Sequence, residues 1–261
     1  MLIKSKQDIK NILDNGRRMG EILEKLEALC RPGISSGEID AEAEKMIIKA
    51  GGRPAFKGYK TSAADRPFPA TICASFNDEI VHGIPRKDRI LKSGDIFSID
   101  IGMLWRKVFT DTAVTVVVGS VSKEIYKLLD VTRQSLEEGI KAAQPGNSVA
   151  AIGKAVENYV KSQGKYGIVR DLVGHGVGHQ VHEDPHIPNY YDPGLESIIL
   201  KPGMVIAIEP MISVGGWQVE TMDDGWTIRM KDRSMCAHFE HTVIITEPGN
   251  IVATRRPHED A

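Results

Sequence analysis

Apolar residues recur at helical spacing in four stretches of the chain. Ile9, Ile12, Leu13, Ile22, Leu23, Leu26 and Leu29 mark a first amphipathic helix, which Pro32-Gly33 closes. Ser35 and Glu38 then form a capping-box pattern, and Ile39, Ala43 and Ile47 carry a second helix to Gly51-Gly52. Ile125, Leu128, Leu129, Leu136 and Ile140 mark a third helix, ended by Pro145-Gly146. Val149, Ile152, Val156 and Val160 mark a fourth, up to Gly164. Elsewhere the pattern changes to β-branched runs of strand length, at 96–101, 114–118, 205–208 and 243–245. Two helices followed by strands, twice over, predict an α+β fold with the helices grouped on one side of an antiparallel sheet.

The repetition extends to the residues themselves. ILKSGDIFSID, residues 90–100, and ILKPGMVIAIE, residues 199–209, share their first three residues, a glycine, the Ile before the last position and a terminal carboxylate. Upstream, Pro32-Gly33 with Ser35 and Ile39 corresponds to Pro145-Gly146 with Ser148 and Ile152. The offsets are 109 and 113 residues, so the two matches lie in one order at nearly one spacing. A duplicated half-domain follows, with halves of about 1–118 and 119–261 sharing one sheet and one core in a single domain, 1–261.

Composition narrows the function classes. The chain of 261 residues is 41% hydrophobic and 26% charged, ordinary for a globular protein with one large core. A net charge of −2 gives no basic face for nucleic acid or an anionic membrane. No apolar run reaches the length of a membrane span, and the N-terminal MLIKSKQDIK lacks an apolar signal core. Cys30, Cys73 and Cys236 lie far apart with no CxxC, which suits reduced thiols and a cytoplasmic location.

Against this background two carboxylates stand out. Asp100 and Asp111 lie in the otherwise apolar stretch SIDIGMLWRKVFTDTAV, on what reads as a core strand pair. If the chain folds back between Trp105 and Arg106, the two face each other directly, with Cβ atoms about 4.5–5.5 Å apart. By the repeat, Glu209 corresponds to Asp100, and Glu240 precedes an apolar strand as Asp111 does. Four such acids brought together would repel one another strongly, and divalent metal removes that cost. An oxygen-rich set suits Mn²⁺, Fe²⁺ or Co²⁺ better than a thiolate-type zinc site, and four carboxylates supply enough bridging oxygens for two ions. GHGVGHQVHEDP offers His175, His179 and His182 as nitrogen donors, and NDEIVHGIP offers His82. HExxH, GxSxG and a dinucleotide fingerprint are absent.

SIDIG, a second Asp eleven residues on, GHGVG, HEDP, IEP and EHT occur in this order across nearly the whole chain, and as an ordered set they resemble the type I methionine aminopeptidases of the pita-bread fold. The short gap between His182 and Glu209 matches type I, and the start of the chain matches the short bacterial form. The resemblance implies an enzyme that removes the initiator methionine from nascent proteins, with two divalent ions per chain (Co, Mn or Fe(II), the native metal left open). It implies five metal ligands, Asp100, Asp111, His175, Glu209 and Glu240. The counterparts of Asp111 and Glu240 bridge the ions, that of Asp100 binds one ion, and those of His175 and Glu209 bind the other. His82 and His182 match two histidines that contact the substrate and the developing tetrahedral centre, and Glu209 the residue that moves the proton. Tyr59, Cys73 and Trp226 match positions lining the methionine pocket, and Phe56 and Val181 fall at pocket positions where relatives carry other side chains. A small second residue in the substrate is implied, because bulk there meets the pocket rim. The segment Lys60–Pro67, KTSAADRP, is longer than the usual link and lies at the expected substrate entrance. The partners implied are N-terminal Met peptides of nascent chains, met by a monomer; ribosome docking is left open. Two alternatives stand beside this reading: a proline-specific or creatinase-like enzyme on the same fold, and a non-enzymatic binding module, against which the retention of all five ligand types argues.

Overall fold

The computed structural model describes residues 3–60 and 66–259. Its helices are α1 (Lys6–Leu29), α2 (Ser36–Lys49), α3 (Lys123–Ala142) and α4 (Val149–Gln163), at the four stretches of helical periodicity. The Ser35–Glu38 capping box is formed in both directions at the start of α2. A second box, Ser5 with Asp8, opens α1 and was not anticipated from the sequence. None of the described helices is long and apolar enough to cross a membrane.

The strands build one large antiparallel sheet, with two small three-stranded sheets at its margin. At the centre lie Ile96–Trp105, Val108–Val117, Glu240–Thr246 and Val205–Ile208, side by side in that order. Gly174–Gly176 and Glu183–Ile187 continue from the last of these. Val205–Ile208 keeps its predicted bounds, while the other three strands reach beyond theirs, so Asp111 joins Asp100 inside a strand and Glu240 begins one. Residue alternation divides the central hairpin into two faces. Ile99, Ile101, Met103 and Val114 enter the main core with the buried faces of the four helices. Ser98, Asp100, Gly102, Asp111, Ala113 and Thr115 occupy the other face.

The predicted register of this hairpin is corrected by two residues. The turn is Arg106-Lys107, both with positive φ (47° and 68°), the geometry a two-residue hairpin connection requires. Trp105 therefore pairs with Val108, Asp100 with Ala113 and Asp111 with Gly102. The two aspartates are diagonal neighbours rather than direct opposites. An even shift preserves the face, so both still point away from the helices. Ala113 also pairs with Glu240 on the next strand, which sets Asp100, Ala113 and Glu240 in one row across three strands.

Local contacts recur at the two matched segments. Ser35 bridges Ile90 as Ser148 bridges Ile199. The Gly33 N–H donates to the Leu91 carbonyl and the Gly146 N–H to the Leu200 carbonyl, each at 2.9 Å. Each Pro-Gly turn thus docks on its own Ile-Leu-Lys segment, delivering α2 and α4 to the sheet in the same way. The three cysteines are free.

Candidate metal centre and its cavity

The helix-free face of the sheet opens into a cavity of about 690 Å³. Asp100, Asp111, His175, Glu209 and Glu240 line it, as do His82, His182, Tyr59, Cys73, Trp226 and Phe56. Val181 lies beside the cavity, packed in an apolar cluster with Phe56, Phe68, Ala70 and Cys73. His179 points elsewhere, its ring 3.3 Å from Asp8 on the surface. Of the longer segment at the expected entrance, Lys60–Pro67, residues 61–65 lie outside the described residues.

Strand pairing fixes the acids. The Asp111 N–H donates to Thr242 Oγ1 at 3.0 Å, and the Thr242 hydroxyl donates back to the Asp111 carbonyl at 2.8 Å. The Thr112 hydroxyl donates to the Glu240 carbonyl at 2.8 Å. Glu209 follows Val205–Ile208 directly, and Asn189 Nδ2 donates to its carbonyl at 3.0 Å. Ligand atoms of Asp111, His175 and Glu240 all lie within 4.8 Å of one another. Asp100 joins this trio as the diagonal neighbour of Asp111 on the same face, in the row it shares with Ala113 and Glu240. Glu209 joins it through His175 Nε2, 3.5 Å from Glu209 Oε1.

The orientation of His175 follows from one contact. Its Nδ1 is 2.9 Å from the Gly176 carbonyl, which can only accept, so Nδ1 carries the proton and Nε2 presents a lone pair toward the acids. Burial pushes the His175 pKa down to about 3, with the neighbouring His182 adding to the effect.

The acids show the strain of crowding. Burial pushes Asp100 up to about 6 and Glu209 up to about 8. Asp111 and Glu240 are pushed well above the usual carboxylate range, by burial first and then by their acidic neighbours. Asp100 Oδ1, Asp111 Oδ1 and Glu240 Oε1 are buried without a hydrogen-bond partner. Three orphaned carboxylate oxygens around one bare imidazole nitrogen fit divalent cations, which would supply the missing partners and offset the repulsion. Cys73 is no thiolate ligand: burial, then the charges of Asp100 and Asp111, hold its pKa well above the usual value.

One side of the cavity is aromatic. The Tyr59 hydroxyl lies 2.7 Å from His182 Nδ1, and the His182 ring stands edge-on to both Tyr59 and His175. Trp226 packs edge-on against Phe68 at 5.3 Å and His82 at 6.2 Å between ring centroids. Gly102 is required below Phe56, since a Cβ there would stand 2.8 Å from the Phe56 ring. His82 is held at φ 60°, an uncommon backbone for a residue with a side chain, and burial pushes its pKa down to about 4.

Sequence reasoning missed several residues here. Phe68, Asp171, Glu183 and His186 line the cavity. His238 was also missed, fully buried with Nε2 3.6 Å from Glu209 Oε2. Phe68 had a findable signal, since it follows directly on the Lys60–Pro67 segment at the expected entrance. His238 sits in an ordinary-looking Cys-Ala-His strand, and only the fold reveals its neighbours.

The metallopeptidase family M24 model matches residues 10–247. Over 245 residues the chain is 46% identical to the methionine aminopeptidase of Borreliella burgdorferi, covering 94% of each sequence. The crystal structure of methionine aminopeptidase from Thermotoga maritima matches with a TM-score of 0.92 at 38% identity, over 98% of this chain and 99% of that one. The prolidase of Pyrococcus furiosus shares the fold at a TM-score of 0.75 and 24% identity, with 65% of its chain covered.

Proposed function

We propose, from the premise that the chain belongs to metallopeptidase family M24 and within it to the methionine aminopeptidases, that it removes the N-terminal methionine from nascent proteins with a small second residue, using a pair of divalent ions. The observation that carries this reading is the convergence of four carboxyls and the bare His175 Nε2 on one cavity, with three carboxylate oxygens left unpartnered. Asp100, Asp111, His175, Glu209 and Glu240 would hold the metal. When bound, divalent metal supplies Lewis acidity toward the peptide carbonyl and the attacking water.

The protein's own groups do the rest. Glu209 accepts the proton of the attacking water and passes it to the leaving amine. Its pKa, raised by burial, suits a group that must both take and give a proton near neutrality. His182, steadied by the Tyr59 hydroxyl, hydrogen-bonds the developing oxyanion. His82, also lining the cavity, faces the scissile amide nitrogen. Tyr59, Cys73, Trp226, Phe56 and Phe68 form an apolar slot for an unbranched thioether.

The test is a peptidase assay on chelated protein titrated separately with Mn²⁺, Fe²⁺ and Co²⁺. Release of Met from Met-Ala-Ser on adding metal, with Ala-Pro-Ala untouched, is the expected result. Full activity with metal shown absent, or cleavage of Ala-Pro-Ala alone, overturns the reading.

A further inference from the structure

His238 has no part in the chemistry set out so far, yet its place is unusual. Its side chain is 2% exposed, and neither Nδ1 nor Nε2 has a hydrogen-bond partner. An imidazole buried with both nitrogens unmet costs stability, and an apolar residue of similar size would avoid that cost. Its backbone is nevertheless pinned. The His238 N–H donates to Thr115 Oγ1 and the Thr115 hydroxyl donates to the His238 carbonyl, both at 2.9 Å, while Ser98 Oγ lies 2.7 Å from the same hydroxyl. Ser98 and Thr115 stand on the same face of the central hairpin as Asp100. The ring is thus set beside the acids by contacts that come from the sheet itself.

Glu209 is bracketed by two imidazoles. Oε1 lies 3.5 Å from His175 Nε2, and Oε2 lies 3.6 Å from His238 Nε2. The two rings cannot play the same part. His175 gives its Nδ1 proton to the Gly176 carbonyl and turns a bare nitrogen toward the centre. His238 has no such carbonyl partner, so its Nε2 is free to carry a proton toward Oε2.

We propose that His238 is a positioning residue for Glu209: its Nε2–H closes the 3.6 Å gap to Oε2 when the centre is loaded, holding that oxygen against strand Cys236–His238 and leaving Oε1 beside His175 for the metal. This rests on the metal-centre reading above. It accounts for a buried, unsatisfied histidine where stability alone favours an apolar residue. Outer partners that orient a ligating carboxylate in this way are worth about 10–100-fold in metal affinity or activity.

The test compares wild type with His238→Leu, which removes both nitrogens at similar volume, and His238→Gln, which keeps a donor. Three quantities are measured: the melting temperature of chelated protein, Mn²⁺ affinity by titration calorimetry, and kcat and KM on Met-Ala-Ser. His238→Leu is expected to melt no lower than wild type when chelated, to bind Mn²⁺ about 10–100-fold more weakly, and to lose kcat by a similar factor with KM little changed. His238→Gln is expected to recover most of both losses. In a Glu209→Gln background, His238→Leu should weaken Mn²⁺ binding no further. The proposal is overturned if His238→Leu keeps wild-type affinity and kcat. It is also overturned if the chelated variant melts lower and glutamine fails to rescue, since that describes a packing residue. Should the leucine variant not fold, His238→Asn, too short to reach Oε2, takes its place. Wild-type protein that cleaves no Met peptide would sink the functional reading alone, because the calorimetry reads His238 and Glu209 without any turnover.

Discussion

The stretch from Asp100 to Asp111 and the stretch from Glu209 to Glu240 deliver the same kind of carboxylate pair to the same sheet, but they cross the distance between the two acids differently. The first is a single hairpin with a two-residue turn at Arg106-Lys107. The second makes a long excursion through Met211–Ser213, Val219–Thr221, Ile228–Met230 and Cys236–His238, which supply two strands to each of the two small sheets, Gly167–Ile168 and Glu79–Val81 completing them. The acids tolerate either route because the central sheet sets their positions: Asp111 is tied to Thr242, and Glu240 is paired with Ala113. The excursion adds what the hairpin lacks. It carries Trp226 to the cavity wall and His238 to the flank of Glu209. Under the proposed function, the shared frame is the part that would hold metal, and the asymmetric insertion the part that would shape substrate choice and fine positioning.

The harshest break of this comparison is to the acids central to both stretches. Asp111→Asn and Glu240→Gln should each lower kcat/KM by at least about 10³-fold, since each removes a carboxylate from the proposed metal-ligand set. Chelated protein should respond in the opposite sense. Each substitution removes an acid whose ionised form burial and its acidic neighbours disfavour, so the melting temperature without metal should rise at any pH where those acids would otherwise ionise. A fall in that temperature would mean that the carboxyl is structural rather than held in readiness for a cation.

The two histidines of the Gly-rich stretch come next. His182→Ala should keep its metal while kcat falls by roughly 10²–10³, the cost of one oxyanion donor. His175→Ala should lose metal, because it removes the bare Nε2. Metal stoichiometry and kcat at saturating metal separate them. The assignment fails if His182→Ala sheds metal as His175→Ala does, or if added metal restores it fully.

These effects follow from residues that were legible in different degrees. The four helices and the core strands were readable because amphipathic period, Pro-Gly stops and β-branched runs all agree at those places. The acids were readable because a buried carboxylate in an apolar strand is costly enough to demand an explanation. The register between them was not, because the φ > 0 turn falls on Arg106 and Lys107, which carry no glycine or asparagine signal. His238 was hidden for another reason. Its place is set by contacts across long sequence separations, such as that with Thr115, and no local pattern announces these.

A milder intervention sharpens the division between metal frame and insertion. Trp226→Ala, on the excursion, and Tyr59→Ala, packed against the same apolar cluster from the other half of the chain, should reduce the preference for Met over Ala at the first position by roughly 10–200-fold, the range for reshaping an apolar pocket. Mn²⁺ affinity should stay near wild type for Trp226→Ala. Unchanged first-residue preference would place the methionine slot elsewhere in the cavity.

The pH dependence of chelated protein tests the frame without substitution. His175 at about 3, and His82 and His238 at about 4, lie below the ordinary 6.5. The unfolded chain therefore binds more protons up to pH 6.5, and these groups make stability climb with pH until that point. Asp100 at about 6 and Glu209 at about 8 lie above their ordinary 3.8 and 4.5. The folded chain keeps protons that the unfolded chain has released, so the stability these acids lend is lost as pH rises toward about 8. Above pH 6.5 only the acid slope remains. The melting temperature of chelated protein should fall from pH 6.5 to 8, and saturating Mn²⁺ should abolish that fall by taking the place of the protons. A flat chelated profile over this window would show that the acids are already ionised.

The smallest effect concerns the helices behind the two stretches. Ser35 caps α2 with its side chain, and Glu38 completes the box by accepting from the Ser35 N–H at 2.9 Å. Ser148 occupies the corresponding place before α4 in the same extended backbone, φ −82° and ψ 158°, yet makes no side-chain capping bond. The residue three positions on is Ala151, so no acid is there to return the contact. Ser35→Ala should cost about 1 kcal/mol, and Ser148→Ala only a few tenths. For a domain of this size 1 kcal/mol is a shift of about 2–4 °C in melting temperature, well within calorimetric resolution. Ala151→Glu should then supply the missing half of the box and stabilise by about 0.5–1 kcal/mol, but only while Ser148 is present. Equal costs for the two serine substitutions, or a gain from Ala151→Glu that survives Ser148→Ala, would show that the two helix starts are held by their shared bridges to Ile90 and Ile199 rather than by their caps.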